Sequence, residues 1–200
     1  VGLEKGREIL LQEGFQKQEG SIVAGFAIKE RRIDSGFMDE MAISMERLIA
    51  ERNVQVVLIP FHYSEDMAPA AELERRLGTR GLGDRVCTIK HKHLTEDMMS
   101  LIGNMDILVG VRLHSLIHAA IMGIPPVGIA YDPKINSFLH SIGMKAACTI
   151  YDLNNEFFVR EFSEIYDNRE QIKEMVAQKV QVLIESLSTN EEMIKDLMKE

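Results

Sequence analysis

Short apolar runs alternate with amphipathic stretches along most of this chain. The segment "SIVAGFAI" (21–28) is almost uniformly apolar and follows Gly20, the pattern of a strand buried on both faces. The same pattern returns in "VQVVLIP" (54–60), "RVCTIK" (85–90), "DILVGV" (106–111), "PVGIAY" (126–131) and, more briefly, "ACTIY" (147–151). Between these runs the apolar positions recur at three- and four-residue steps, which predicts helices over 39–52, 66–78, 95–104, 113–122 and 134–142, with a first helix over 3–13. Acidic residues open the 66–78 helix and Gly78 closes it; Thr95 is placed as the N-cap of the 95–104 helix, with Glu96 and Asp97 facing its dipole. After residue 151 the chain reads as helical to its end. Ile172, Met175, Val176, Val180, Leu183, Ile184 and Leu187 form an apolar stripe, Ser188–Thr189–Asn190 predict a break, and 191–200 reads as a final short helix.

Apolar strands that alternate with helices predict a mostly parallel sheet covered on both faces, a doubly wound, Rossmann-like α/β domain. In such a sheet ligands bind outside the carboxyl ends of the strands. At 200 residues the length suits one generous domain, and 46% hydrophobic residues suffice for its core. A net charge of −8 argues against a nucleic-acid partner. Cys87 and Cys148 sit in apolar runs and read as reduced core residues. No apolar run has the length of a membrane span and no signal peptide is visible, so a cytoplasmic setting is expected. The chain opens on Val1 in a helix-like segment, as a piece of something longer would.

Charge sharpens the picture at the strand ends. The first strand runs into Lys29-Glu30-Arg31-Arg32, the second into His62, the third into Lys90-His91-Lys92-His93, the fourth into Arg112-Leu113-His114 and the fifth into Tyr131-Asp132-Pro133-Lys134. An acidic chain that gathers cations on one rim is expected to bind an anion there. The fourth end is the sharpest case. Arg112 can hold a carboxylate or phosphate in a bidentate grip, His114 can exchange a proton near neutral pH, and the 113–122 helix adds its free N–H groups. The structural alternative pairs Arg112 with Asp106 or Asp132 and makes His114 a helix cap. Ser115 reads as a helix-start hydroxyl rather than a nucleophile. His118, one turn beyond His114, invites a metal reading together with His91 and His93. No HExxH or CxxC accompanies them, so no metal site is expected and His118 reads as a satisfied core or interface histidine. No GxGxxG, GxxxxGK[ST] or GxSxG motif follows any strand.

The stretch "VGVRLHSLIHAAIMGIPPVGIAYDPKINSFLHSIG" resembles the signature region of the polysaccharide pyruvyl transferase family, in particular its bacterial CsaB type. R-L-H before a small-residue helix, G-I-P, an apolar strand and Y-D-P-K carry the resemblance; "PFHYSED" and "LTEDMMSLIGNMDILVG" upstream extend it from about residue 20. It implies transfer of a pyruvyl group from phosphoenolpyruvate to two hydroxyls of a saccharide, as a cyclic ketal, with release of phosphate. It implies a fold similar to one half of a two-domain GT-B glycosyltransferase, with a missing N-terminal domain as partner. Residues 1–20 would then be the end of a connecting helix, 21–187 the donor-binding domain and 188–200 a C-terminal helical tail. The resemblance assigns catalysis to His114 and Arg112 and donor contact to Lys134, with Leu113, Ser115, His62, Tyr131 and Asp132 around them. Lys29 stands where many members carry arginine; it keeps the charge but not the bidentate geometry. Phosphoenolpyruvate enters as a substrate and no cofactor is implied. The acceptor implied is a lipid-linked cell-wall saccharide at the inner face of the membrane, and the chain alone is expected to be inactive. The competing readings are the nucleotide-sugar half of a GT-B-type glycosyltransferase or epimerase, and a non-catalytic anion-binding module.

Overall fold

The computed structural model describes residues 1–29 and 35–197, with side chains up to residue 186 apart from that of Ser35. Glu30, Arg31 and Arg32 of the expected rim, and the side chain of Leu187, lie outside the described residues. Six strands form one sheet: β1 (Ile22–Ala27), β2 (Val54–Leu58), β3 (Val86–Thr88), β4 (Ile107–Gly110), β5 (Pro126–Ala130) and β6 (Ala146–Thr149). Their order is β3-β2-β1-β4-β5-β6, and all five neighbouring pairs run parallel. Among the described residues eight α-helices surround the sheet: α1 (Glu4–Gln12), α2 (Ser35–Arg52), α3 (Tyr63–Thr79), α4 (Thr95–Ile102), α5 (Leu113–Ile121), α6 (Pro133–Ser141), α7 (Asn155–Asp167) and α8 (Arg169–Leu197).

The expected doubly wound α/β fold is therefore the observed one. Alternate residues of β1 point to opposite layers: Ala24 and Phe26 join the core beneath α2, α3 and α7, while Val23 joins the core beneath α1 and α4. This is why β1 to β5 lack polar alternation: every residue in them is buried, and only the edge strand β6 is partly exposed. A third apolar cluster closes α5, α6 and α8 together through Leu116, Leu139, Ile142 and Val176. Gly6 lets α1 press against α4, since a Cβ there would lie 2.3 Å from the Ser100 carbonyl oxygen. The Gly6 amide donates to Ser100 Oγ at 2.8 Å, so the segment expected as a connecting helix packs into the domain.

Two local expectations are corrected. The N-cap of α4 is Leu94, not Thr95; Thr95 lies inside the first turn. The expected break at 188–190 is absent, and α8 runs unbroken through Ser188, Thr189 and Asn190 to Leu197. Three polar residues in a row favour caps and turns, but their propensity costs are a fraction of a kcal/mol each, too small to end an established helix.

The sheet order reverses between β1 and β4. The connection from β1 proceeds to one side and the connection from β4 to the other, so their carboxyl ends part and leave the crevice where doubly wound sheets take ligands. Lys29 leaves β1 at this crevice and Arg112 leaves β4 beside it.

Candidate functional site

The fourth strand end builds the centre of the site. Arg112 is the N-cap of α5, with extended backbone and no side-chain cap, and Leu113 and His114 form the first turn. α5 carries no acidic residue in that turn, and neither does α6 at the neighbouring strand end. α3 and α4 each carry two. The α5 N-terminus thus presents its positive end with neither an acidic cap nor an acid in its first turn, which favours an anion from outside, whereas α6 already carries the Asp132 carboxylate at its N-cap. His114 is exposed and lies within the first turn, so the N-cap position belongs to Arg112 and not to His114. Leu113 is half-buried and packs on the α5–α6–α8 cluster, forming the apolar floor beside it.

The fifth strand end supplies the companion. Asp132 caps α6, accepting the Lys134 amide at 2.8 Å, and Pro133 sets the first turn. This leaves the exposed Lys134 side chain at a helix N-terminus, where a cation opposes the dipole. It makes no ion pair among the described residues. Tyr131 meets Lys29 across the end of β4: the ammonium donates to the phenolic oxygen at 3.0 Å and lies 4.1 Å from the ring centre. Three strand ends therefore bring Lys29, Tyr131, Arg112, His114 and Lys134 to one rim.

Arg112 does something the sequence did not suggest. Its guanidinium is held by Asp66 and Glu65 at the start of α3, with Nε to Asp66 Oδ2 at 3.0 Å and Nη2 to Glu65 Oε2 at 2.9 Å. The alternative partners are corrected too. Asp106 accepts the Val23 amide and Lys17, and Asp132 caps α6. Asp66 is 1% exposed and also accepts the amides of Phe61 and His62. Burial works against the charge of Arg112, yet the hydrogen bonds to Asp66 and Glu65 outweigh it and raise its pKa above the ordinary value. The arginine thus ties the β2–α3 turn to the start of α5. Sequence reasoning missed Asp66 because an acid in a first turn already has a reason to be there; the available signal was "HYSED" directly after an apolar strand.

Ser115 is fully buried and its hydroxyl donates to the Arg112 carbonyl at 2.7 Å, closing the start of α5 as expected of a helix-start hydroxyl. His62 lies one carboxylate away from Arg112, through Asp66, and faces a separate cavity. His118 is half-buried and its ring packs 5.4 Å from that of Phe61, but Nδ1 finds no hydrogen-bond partner among the described residues. The expectation of a satisfied histidine is corrected in that respect. No group of three or more histidine, cysteine or acidic side chains is placed to hold a metal among the described residues. Burial pushes the thiols of Cys87 and Cys148 up to about 11 and about 12, and both cysteines are free.

Burial, and then the nearby His114, lower the pKa of His118 below 6.5. The unfolded chain therefore takes up a proton that the folded chain resists. The stabilisation is complete above the unfolded value and is lost as pH falls through the folded one. Native protein should lose more thermal stability between pH 7.5 and 5.5 than a His118→Phe variant does. Equal losses in paired thermal melts would contradict this.

The family profile described as Polysaccharide pyruvyl transferase matches residues 10–133, so it takes in Lys29, Arg112 and His114 and stops one residue before Lys134. No curated protein matches the chain. Among solved structures, Escherichia coli ADP-heptose LPS heptosyltransferase II superposes with a TM-score of 0.65 at 17% identity, over 85% of this chain and 53% of that one. Anabaena Alr3699/HepE, in complex with UDP and glucose, gives 0.64 at 11% identity, over 100% of this chain and 53% of that one. The C-terminal CMP-Kdo binding domain of WaaA from Acinetobacter baumannii gives 0.61 at 12% identity, over 90% and 97%. The chain thus spans about half the length of the first two and nearly all of the third. These likenesses show the fold: a Rossmann-like domain as found in GT-B glycosyltransferases and epimerases.

Proposed function

Because this chain belongs to the polysaccharide pyruvyl transferase family, we propose that it is the donor-binding, C-terminal half of a CsaB-type enzyme that transfers pyruvate from phosphoenolpyruvate to a saccharide. The observation that carries this is the acid-free N-terminus of α5, bearing exposed His114, next to the strand end that carries Lys134, which makes no ion pair among the described residues. Phosphoenolpyruvate has a phosphate and a carboxylate on a small frame. Lys134, the α5 amides and Lys29 offer separate positive contacts for them. Arg112 serves chiefly by fixing where α5 begins, since Asp66 and Glu65 occupy it.

In the reaction His114 gives a proton to the methylene carbon of the donor, and cationic character develops at C2. One sugar hydroxyl attacks C2 and loses its proton. The bond from C2 to the phosphate oxygen then breaks with its electron pair, and Lys134 and the α5 amides stabilise the departing phosphate. The second hydroxyl closes the ketal on C2 and its proton leaves. One hydroxyl proton restores His114 and the other goes with phosphate. No resident cofactor enters these steps.

The acceptor is a lipid-linked cell-wall saccharide, met at the inner face of the membrane by a second domain that completes the cleft. Among the described residues no helix is long and apolar enough to cross a membrane. The chain alone, with its rim open, forms no ketal. In the two-domain enzyme Lys134→Ala should raise the KM for phosphoenolpyruvate roughly tenfold or more, the loss of one charge-assisted contact, and Lys134→Arg should recover part of it. Unchanged KM in both variants would refute the donor placement.

A further inference from the structure

The molecule has a second cationic recess on the same rim, which the donor chemistry leaves unused. A cavity of about 250 Å³ opens between the β2–α3 turn and the loop after β3, lined by Phe61, His62, Tyr63, Ser64, Lys92 and His93. Lys92 is exposed and makes no ion pair among the described residues. His93 lines the wall, and its Nε2 is buried with no hydrogen-bond partner among the described residues. His62 and Ser64 stand opposite, with Nδ1 and Oγ 3.3 Å apart. α3 starts here as well. Its Glu65 and Asp66 amides turn back to the His62 carbonyl, which leaves the Tyr63 and Ser64 amides without a backbone acceptor. The charges of Asp66 and Glu65 are offset by their pairing with Arg112. Glu65 Oε1 also lies 3.6 Å from His62 Nδ1, at the edge of the recess.

The loop that carries Lys92 and His93 is pinned from the other side. Glu13, with a side chain 4% exposed, accepts the Lys90 and His91 amides at 3.0 and 2.9 Å and pairs with the His91 ring. A buried carboxylate is costly unless fully bonded. Spending one on a loop turn makes the wall of the recess a fixed surface.

We infer that this recess between the ends of β2 and β3 is a subsite for a phosphate-ester group of the acceptor. The inference rests on the donor lying at the ends of β4 and β5, as proposed above. From β2 to β5 is three strand spacings, roughly 14 Å. Phosphoenolpyruvate is too small to reach across that span, and its two anionic groups are already matched by the α5 amides, Lys29 and Lys134. A short saccharide that offers its hydroxyls to C2 of the donor can place an attached phosphate in the recess. Lys92 supplies charge, and His62, His93 and Ser64 supply hydrogen bonds.

The test uses the two-domain enzyme, with inorganic pyrophosphate and phosphoenolpyruvate as separate titrants, followed by steady-state assays with a saccharide acceptor bearing or lacking a terminal phosphate. Pyrophosphate should bind saturably. Lys92→Ala and His93→Gln should each weaken it at least fivefold while phosphoenolpyruvate affinity stays within twofold. Both variants should raise the KM for the phosphorylated acceptor only. The inference is overturned if pyrophosphate does not saturate, if either variant leaves it unchanged, or if both acceptors respond alike. Displacement of pyrophosphate by phosphoenolpyruvate from native enzyme would make the donor the source of the bound phosphate and overturn the acceptor assignment. Loss of donor affinity on Lys134→Ala with pyrophosphate binding intact would support two separate sites. Retained donor affinity in that variant would instead fault the donor placement.

Discussion

Replacing His114 with alanine in the two-domain enzyme should slow phosphate release from phosphoenolpyruvate by about 10²–10⁴-fold, the range that a positioned general acid contributes. Donor affinity should change little, because Lys134, Lys29 and the α5 amides remain. The first turn of α5 supplies the reason. His114 is exposed toward the rim, whereas the buried Ser115 beside it is engaged with the Arg112 carbonyl. The substitution removes a proton donor and leaves the backbone that positions it. An exposed first-turn histidine contributes little to folding, so the variant should melt close to the native enzyme. Phosphate release, donor titration and a melt on the same preparation separate these effects. Near-native turnover in a folded variant would remove His114 from the chemistry.

The second large effect is expected on stability. Asp66→Ala deletes the carboxylate that holds Arg112 and the amides of Phe61 and His62 together. The Arg112 side chain is 16% exposed and would keep only Glu65 as partner. Breaking a buried pair from one side costs about 3–5 kcal/mol, because the remaining charge stays desolvated. Asp66→Asn keeps an acceptor oxygen and should cost less. Replacing both residues, Asp66→Leu with Arg112→Met, should cost less than the sum of the single changes, since neither charge is then left alone. Denaturant unfolding of the native protein, Asp66→Leu, Arg112→Met and the double variant measures the coupling. Additive losses would mean that the pair is not the clamp between α3 and α5 described above.

The strands were legible because a strand buried on both faces has no polar alternation to blur it. β1, β2, β4 and β5 fall within the expected apolar runs, and the parallel order follows from the helices between them. The rim was legible for a related reason: a side chain at a strand's carboxyl end in this fold faces ligand space, so position alone selected Lys29, His114 and Lys134. Pairing was not legible. Arg112 and Asp66 stand 46 residues apart, and nothing local distinguishes an acid that faces a helix dipole from one that grips a distant arginine. Lys92 and His93 were legible as part of the cationic rim, but not as the wall of a recess facing His62. That shape depends on Glu13 pinning the loop from α1, a contact made across 78 residues.

The central claim is that the β4–β5 rim handles phosphoenolpyruvate and that a saccharide receives its pyruvyl group. Mass spectrometry of the products tests this most directly. The two-domain enzyme would be incubated with phosphoenolpyruvate and a panel of cell-wall saccharide acceptors, and separately with nucleotide sugars. A saccharide heavier by one pyruvate less one water, formed with one phosphate per transfer and absent in His114→Ala, is the predicted result. Glycosyl transfer or epimerisation from a nucleotide sugar, with no pyruvylated product from any acceptor, would contradict it.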